Sequence, residues 1–325
     1  IIDSQGLDVH SIDAATLFLK SFGFDYDNPS ERLEIAEIRA NSVIFLEDVL
    51  LKDGQAIPLF VRNELDIRQL LIWASEKNGS EKTQWSCALL RVMHTFAHCG
   101  SFFTEHFEDQ IREQILERIQ PHISSENDKL FVGDIEIAHF ESRPVKSKHS
   151  AVLKMLHKVE NVSTEIFDWF GIRIVVHDRL DAIRILEYLA RHNIVMAANI
   201  KASRTRNTLL DIVQIKNLWS RIADWEKLAP DARKFDYPKP TGTRSGNPFS
   251  GTTFHAIQFT CRHRVRVNEP SGREIRFFFP YEVQILDQES FAKTRTGRDS
   301  HQKYKHRQLT AARRRVLPFI RRTKA

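Results

Sequence analysis

Apolar positions recur at helical spacing through residues 1–125. One run opens at Ser30 and carries Leu33, Ile35, Ile38, Val43, Leu46 and Leu50 before Asp53-Gly54 stops it. A second spans Val61 to Ser75 through Leu65, Ile67, Leu70, Leu71 and Trp73. A third holds Trp85, Leu89, Leu90, Val92, Met93 and Phe96, and a fourth runs from Thr104 to Gln120, with Pro121 ending it. After Glu126 the period shortens to two. Leu130 to His139 alternates apolar and polar, as a half-buried strand does. Ser150 to Lys158 reads as a short helix, Ile172 to Val176 as a central strand, and Leu180 to His192 as an amphipathic helix. Strands are expected at Phe254–Arg262 and Arg276–Ile285. Tyr237 to Thr253, rich in Pro, Gly, Ser and Thr, reads as a loop. The pattern predicts a mixed domain of strands and helices behind an all-helical N-terminal region.

Composition narrows the class. Of the 325 residues, 42% are apolar and 28% charged, which excludes wholesale disorder. No apolar run approaches the ~18 to 20 residues of a membrane helix, and the stretch from Ile1 has no secretory pattern. Cys87, Cys99 and Cys261 lack metal-ligand spacing, so a reducing cytoplasmic setting is expected. From Lys293 onward the chain has twelve Lys or Arg against one acid, Asp299, within a net charge of +6. A basic end on an otherwise acidic body predicts contact with a polyanion, the alternative being a solvated helix face. His94 and His98 stand at i, i+4 with no zincin-like glutamate between them, and read as packing or surface histidines.

Three clusters can carry chemistry. Lys146, Ser150 and Lys154 recur every four residues, so on a helix they share a face, and cations beside N-terminal N–H groups form a phosphate cradle. Asp168 lies on the turn into a buried strand, where a carboxylate can hold Mg²⁺, and Arg173 on that strand can stack on a nucleobase. In Tyr281-Glu282-Val283-Gln284-Ile285, Glu282 and Gln284 share one face. Glu282 can complete a metal site with Asp168 or accept a proton. Taken singly, each also fits a plainer role: a solvated helix start, a helix-end Asp with a structural Arg, or an edge strand with a polar face.

In order along the chain, these clusters resemble the synthetase domain of the RelA/SpoT family, the alarmone synthetases of the stringent response. Lys146, Ser150 and Lys154 match that family's Lys, Ser and Lys spacing, and Asp168, Gly171, Arg173 and Ile174 its Asp-x-x-Gly-x-Arg-Ile. Pro238-Lys239 and Gly251 to His255 answer its two acceptor motifs in part, and Glu282 to Ile285 meets its Glu-Val-Gln-Ile in full. Ala292, Gly297, His301 and Tyr304-Lys305 echo its end. The resemblance covers a little over half the chain. It implies an α+β fold of the nucleotidyltransferase type, with a mixed β-sheet flanked by helices, over 126–310. That domain would lie between a helical region over 1–125 and a basic tail over 311–325. It implies Mg²⁺-dependent transfer of pyrophosphate from ATP to a nucleotide 3′-hydroxyl, a transferase (pyrophosphokinase) activity. Arg143 and Arg173 would sandwich the adenine, and Lys146, Ser150 and Lys154 would hold the phosphates. Asp168 and Glu282 would bind Mg²⁺, with Glu282 activating the acceptor hydroxyl, and Lys239, His255 and Gln284 would line the acceptor side.

The departures gather on the acceptor half. Thr252 stands where the family has a guanine-stacking Tyr, Leu286 replaces an Arg, and the preceding loop is longer; on the donor side, Arg143 sits one residue further from Lys146. The expected acceptor is therefore one not bound in the usual guanine mode. An RNA 3′ end, met by the basic tail, is the near alternative, and a catalytically inactive nucleotide or RNA sensor a third. The sole His-Asp pair, His177-Asp178, lies at a strand end, so the family's hydrolase domain is expected to be absent.

Overall fold

The structure, a computed structural model, describes residues 7–99, 106–143, 147–156, 169–221, 225–238, 255–269, 271–295 and 301–320. The chain forms two compact units, one of residues 1–101, 147–165 and 305–325, the other of 102–146 and 166–304. This division differs from the one expected at 125/126 and 310/311, because a helix from the middle of the chain and its C-terminal end both belong to the first unit. Among the described residues no helix is long and apolar enough to cross a membrane.

The first unit is helical. Ile12–Phe22, Pro29–Phe45 and Ile67–Ser75 each start at a short polar side chain that accepts from an otherwise free N–H: Ser11, Asn28 and Asp66. The run expected from Ser30 to Leu50 is a helix to Phe45 that widens into a π-helical turn over Leu46–Leu50. The run expected over 61–75 is two helices, Leu59–Arg62 and Ile67–Ser75, because Asp66 caps a new start. Glu81–Cys99 is the central helix, and its Leu89 and Phe96 are buried with Phe45, Leu46, Leu50, Leu70 and Leu71. His94 and His98 pack as expected, their Nε2 atoms 3.1 Å apart beside Phe22. Burial, then the neighbouring His98, lowers the pKa of His94 to about 4.

Distant parts of the chain complete this core. On helix Lys148–Leu156, His149 packs its ring against Phe45 and Phe96. Helix His301–Val316 brings in Ala312 and Val316, and Leu317 follows them into the core. Arg313 donates to the carbonyls of Leu50 and Leu51 at 2.6 and 2.9 Å, taking up acceptors left free where the π-helical turn ends. The basic tail expected over 311–325 is, through residue 320, packed structure.

The second unit is built on a seven-stranded sheet in the order β1-β2-β3-β4-β7-β6-β5. The strands are β1 (Ile123–Glu126), β2 (Lys129–Val132), β3 (Ile135–Arg143), β4 (Phe170–Val176), β5 (Arg206–Asn207), β6 (Ile257–Asn268) and β7 (Glu274–Asp287). β4 and β7 are parallel and the other pairs antiparallel, so the sheet is mixed and the fold α+β, as expected. The strand expected over 130–139 is broken at Gly133, whose φ of 62° turns the chain and whose missing Cβ leaves room for the Tyr188 ring. Asn127 and Asp128, with φ of 50° and 61°, form the two-residue link from β1 to β2 that a right-handed strand twist favours. One sheet face buries Ile172, Ile174, Phe259, Val283 and Ile285 with Ile111 and Ile115 of Glu108–Leu116 and Ile185 and Leu189 of Asp181–Arg191. Gln110 and Gln114 accept from the backbone N–H groups of Asn268 and Arg266, which closes that stretch of the β6 edge.

Candidate functional site

With one sheet face committed to the core, alternation turns the polar residues of the central strands to the other. Two rows of neighbours result: Arg143, Gly171 and Glu282, then Glu141, Arg173 and Gln284, across β3, β4 and β7. Gly171 makes the first row possible. A Cβ there would lie 2.7 Å from Nε and 2.9 Å from Cζ of Arg143, so the guanidinium occupies the space a side chain would fill.

From that position Arg143 Nη2 donates to Glu282 Oε2. Gln284 Nε2 donates to the same oxygen at 2.8 Å, and Gln284 Oε1 accepts from Nε and Nη2 of Arg173 at 3.2 and 3.1 Å. Arg173 Nη1 donates to Glu141 Oε1 at 2.5 Å. The result is one chain of bonds, Glu141–Arg173–Gln284–Glu282–Arg143, in which two carboxylates balance two guanidiniums and the amide of Gln284 links the pairs. Burial, then the charge of Arg143, pulls the Arg173 pKa below its ordinary value, against the pull of Glu141 and Glu282. Among the described residues, Arg143 Nε is buried with no hydrogen-bond partner, so the network retains an unused donor. Phe291, on helix Gln288–Arg295, stacks on His139 and has Arg173 and Arg295 near its ring, closing one side of the network.

Four of the expected site residues, Arg143, Arg173, Glu282 and Gln284, therefore meet. The two arginines lie in neighbouring rows of one network rather than facing each other across a gap. Lys146, Asp168 and Lys239, and with them Thr252, lie outside the described residues. Ser150 and Lys154 sit on Lys148–Leu156, one helical turn apart on a shared face, in the first unit. Leu286 is fully buried with Val175 and Ala256, so this position is packed rather than presented to a ligand.

His255 belongs to a second cluster, just before β6. Its Nδ1 lies 2.9 Å from the Thr208 carbonyl oxygen. A carbonyl only accepts, so Nδ1 carries the hydrogen and Nε2 keeps the lone pair. The ring stacks on Tyr237 at 3.9 Å and 6°, and the Tyr237 hydroxyl donates to Asp287 at 2.6 Å. Burial lowers the His255 pKa; burial and the bond to Asp287 raise that of Tyr237. Sequence reasoning missed Glu141, Tyr237 and Asp287. Two-residue alternation back from Arg143 exposes Glu141, but no local signal joins Tyr237 to Asp287.

No protein-family model matches the sequence, and no curated protein matches it. Among solved structures, the chain is similar to small alarmone synthetase 2 from Bacillus subtilis, with 15% identity over 67% of this chain and 88% of that one and a TM-score of 0.30. A GTP pyrophosphokinase family protein from Streptococcus pneumoniae gives 13% over 66% and 88%, again with a TM-score of 0.30. Small alarmone synthetase 1 from Bacillus subtilis, bound to its product pppGpp, gives 16% over 64% and 88% at a TM-score of 0.30. Likeness at this level assigns neither a family nor an activity to the chain.

Proposed function

We propose that this chain transfers pyrophosphate from ATP to the 3′-hydroxyl of a nucleotide acceptor, in a Mg²⁺-dependent reaction served by the Arg143–Glu282–Gln284–Arg173 network. The observation that carries this reading is the register: motif residues far apart in sequence, on three strands, fall in two adjacent rows on the polar sheet face. Two guanidiniums and a carboxylate are the groups that binding a polyphosphate and activating a hydroxyl require.

In the transfer, the acceptor 3′-oxygen bonds to the β-phosphorus of ATP, the bond from that phosphorus to the α–β bridging oxygen breaks, and AMP leaves. In this reaction Glu282 takes the hydroxyl proton. To do so it must give up Arg143, which then turns its charge and its unused Nε donor to the nucleotide. Gln284 holds both Arg173 and Glu282, so it keeps the arginine and the base at fixed separation. Glu282 also suits Mg²⁺: Arg143 and Gln284 both bind Oε2, and Oε1 takes neither bond. With Asp168 as second ligand, the ion would supply neutralisation of phosphate charge.

The test is transfer of label from γ-labelled ATP to nucleotide pools in wild type and Glu282→Gln. The variant is expected to bind ATP and transfer nothing. Undiminished transfer by Glu282→Gln would remove Glu282 from the reaction.

A further inference from the structure

Glu141 belongs to the bonded network but has no part in the transfer chemistry, and its position accounts for the way Arg173 is held. It stands directly opposite Arg173 across β3 and β4, as Gln284 does across β4 and β7. Glu141 Oε1 accepts from Nη1 of Arg173 at 2.5 Å, and Gln284 Oε1 accepts from Nε and Nη2 at 3.2 and 3.1 Å. All three guanidinium nitrogens are thereby bonded. The side chains of Arg173 and Glu141 are only 16% and 27% exposed, so water screens the pair in part.

The N–H donors of a guanidinium lie in its plane, so these bonds occupy its edges and fix the angle of the plane, while stacking uses its faces. A loose arginine gives up rotamer freedom when a ligand orders it. One clamped at both edges has given that up before the ligand arrives. Glu141 is itself oriented. His139 Nε2 lies 3.3 Å from Oε2, and an ionised carboxylate only accepts, so Nε2 carries the hydrogen. The His139 ring in turn stacks on Phe291 at 5.2 Å. A carboxylate that only neutralised a cation would need no such support. Arg143 stands in the neighbouring row and does not face Arg173 across a gap, so a base on Arg173 relies on this clamp rather than on a second arginine.

We propose that Glu141 is a positioning residue for the donor nucleobase: with Gln284 it fixes the Arg173 guanidinium as a flat platform on which the adenine of ATP stacks. The choice of ATP as ligand rests on the transfer reaction proposed above; the clamp on Arg173 does not.

Calorimetric titration with Mg²⁺ present compares ATP with inorganic tripolyphosphate, which has the phosphates without the base, and transfer kinetics are measured alongside. Glu141→Ala should weaken ATP binding by roughly 2- to 30-fold, the span of a stacked cation, and leave tripolyphosphate binding unchanged. The KM for ATP should rise with kcat kept, because the base is held alike before and during transfer. Arg173→Ala should lose at least as much, and the double variant no more than Arg173→Ala alone. Glu141→Gln keeps an oxygen within reach of Nη1 and should retain most of the affinity. Glu141→Asp keeps the charge but falls a methylene short, and should behave like Glu141→Ala. The reverse order, with Asp restoring affinity and Gln not, overturns positioning in favour of plain neutralisation. An equal loss of tripolyphosphate binding overturns the base platform and makes Arg173 a phosphate ligand. Undiminished ATP affinity in Glu141→Ala, while wild type transfers label, overturns the clamp alone. Glu141-dependent ATP binding with no transfer to any acceptor overturns the transfer reading and leaves the clamp standing; no ATP binding by wild type overturns both. Thermal unfolding checks the fold, and if Glu141→Ala does not fold, the Gln and Asp variants carry the same comparison.

Discussion

An alanine at position 171 would place a methyl group 2.7 Å from Nε and 2.9 Å from Cζ of Arg143, well inside van der Waals contact. What it meets is the free end of a long side chain, so the guanidinium moves and the strand does not. Two stability effects then oppose each other. Alanine in a strand interior gains about 0.5 to 1 kcal/mol over glycine. The Arg143–Glu282 pair, with side chains 30% and 20% exposed, is worth about 0.2 to 1 kcal/mol once water screening is allowed for. Gln284 continues to bond Glu282. Gly171→Ala should therefore melt within about 1 kcal/mol of wild type. Nucleotide binding should respond more. If Arg143 stacks on adenine, losing its position costs about 0.5 to 2 kcal/mol, roughly 2- to 30-fold in ATP affinity. Calorimetric titration with ATP and Mg²⁺, paired with thermal unfolding, separates the two readouts. Since the alanine acts through Arg143, Gly171→Ala and Arg143→Ala should weaken ATP binding to similar extents, and the double variant should lose no more than either. Additive losses, or a large drop in stability from Gly171→Ala, would refute the placement of Arg143 over Gly171.

Other parts of the structure yield predictions of their own. Tyr237→Phe keeps the ring on His255 but removes the hydroxyl bonded to buried Asp287, and should lower stability by about 1 to 3 kcal/mol; an unchanged melting temperature would contradict that bond. His94, held from 6.5 down to about 4 by burial, contributes stability that is complete above pH 6.5 and lost as pH falls toward 4. The loss should total roughly 3 kcal/mol, and His94→Leu should flatten the pH dependence of unfolding in that window. Arg313→Ala frees the carbonyls of Leu50 and Leu51 and should cost about 1 to 3 kcal/mol in chemical denaturation. A chain ending at Ala312 should be weaker still, because Val316 and Leu317 leave the core.

The readability of the sequence varied with the range of the forces involved. β4 and β7 were legible because alternation is local, and one buried face fixes which residues share the other. Arg173, Glu282 and Gln284 could thus be placed on strands before their register was known. At Gly133 the alternation changes phase, from Leu130 and Val132 to Ile135 and Ile137, and the positive φ that makes the turn leaves no trace of its own in a periodicity. The helix bearing Ser150 and Lys154 follows β3 closely in sequence, yet His149 packs between Phe45 and Phe96, so tertiary burial decides its unit. Arg313 to Arg315 are a run of charge in the sequence, which does not show that Arg313 serves backbone carbonyls. Tyr237 and Asp287 meet through a hydrogen bond that spans the length of a hairpin and its approach, beyond any local signal.

If Glu282 and its network serve pyrophosphate transfer, the product left from ATP is AMP. Incubating the protein with γ-labelled ATP, Mg²⁺ and separate nucleotide and RNA acceptors, AMP and labelled acceptor are measured together. One AMP is expected for each label transferred, with both abolished by Glu282→Gln while ATP binding is retained. Release of ADP in place of AMP, or equal transfer by the variant, would contradict it.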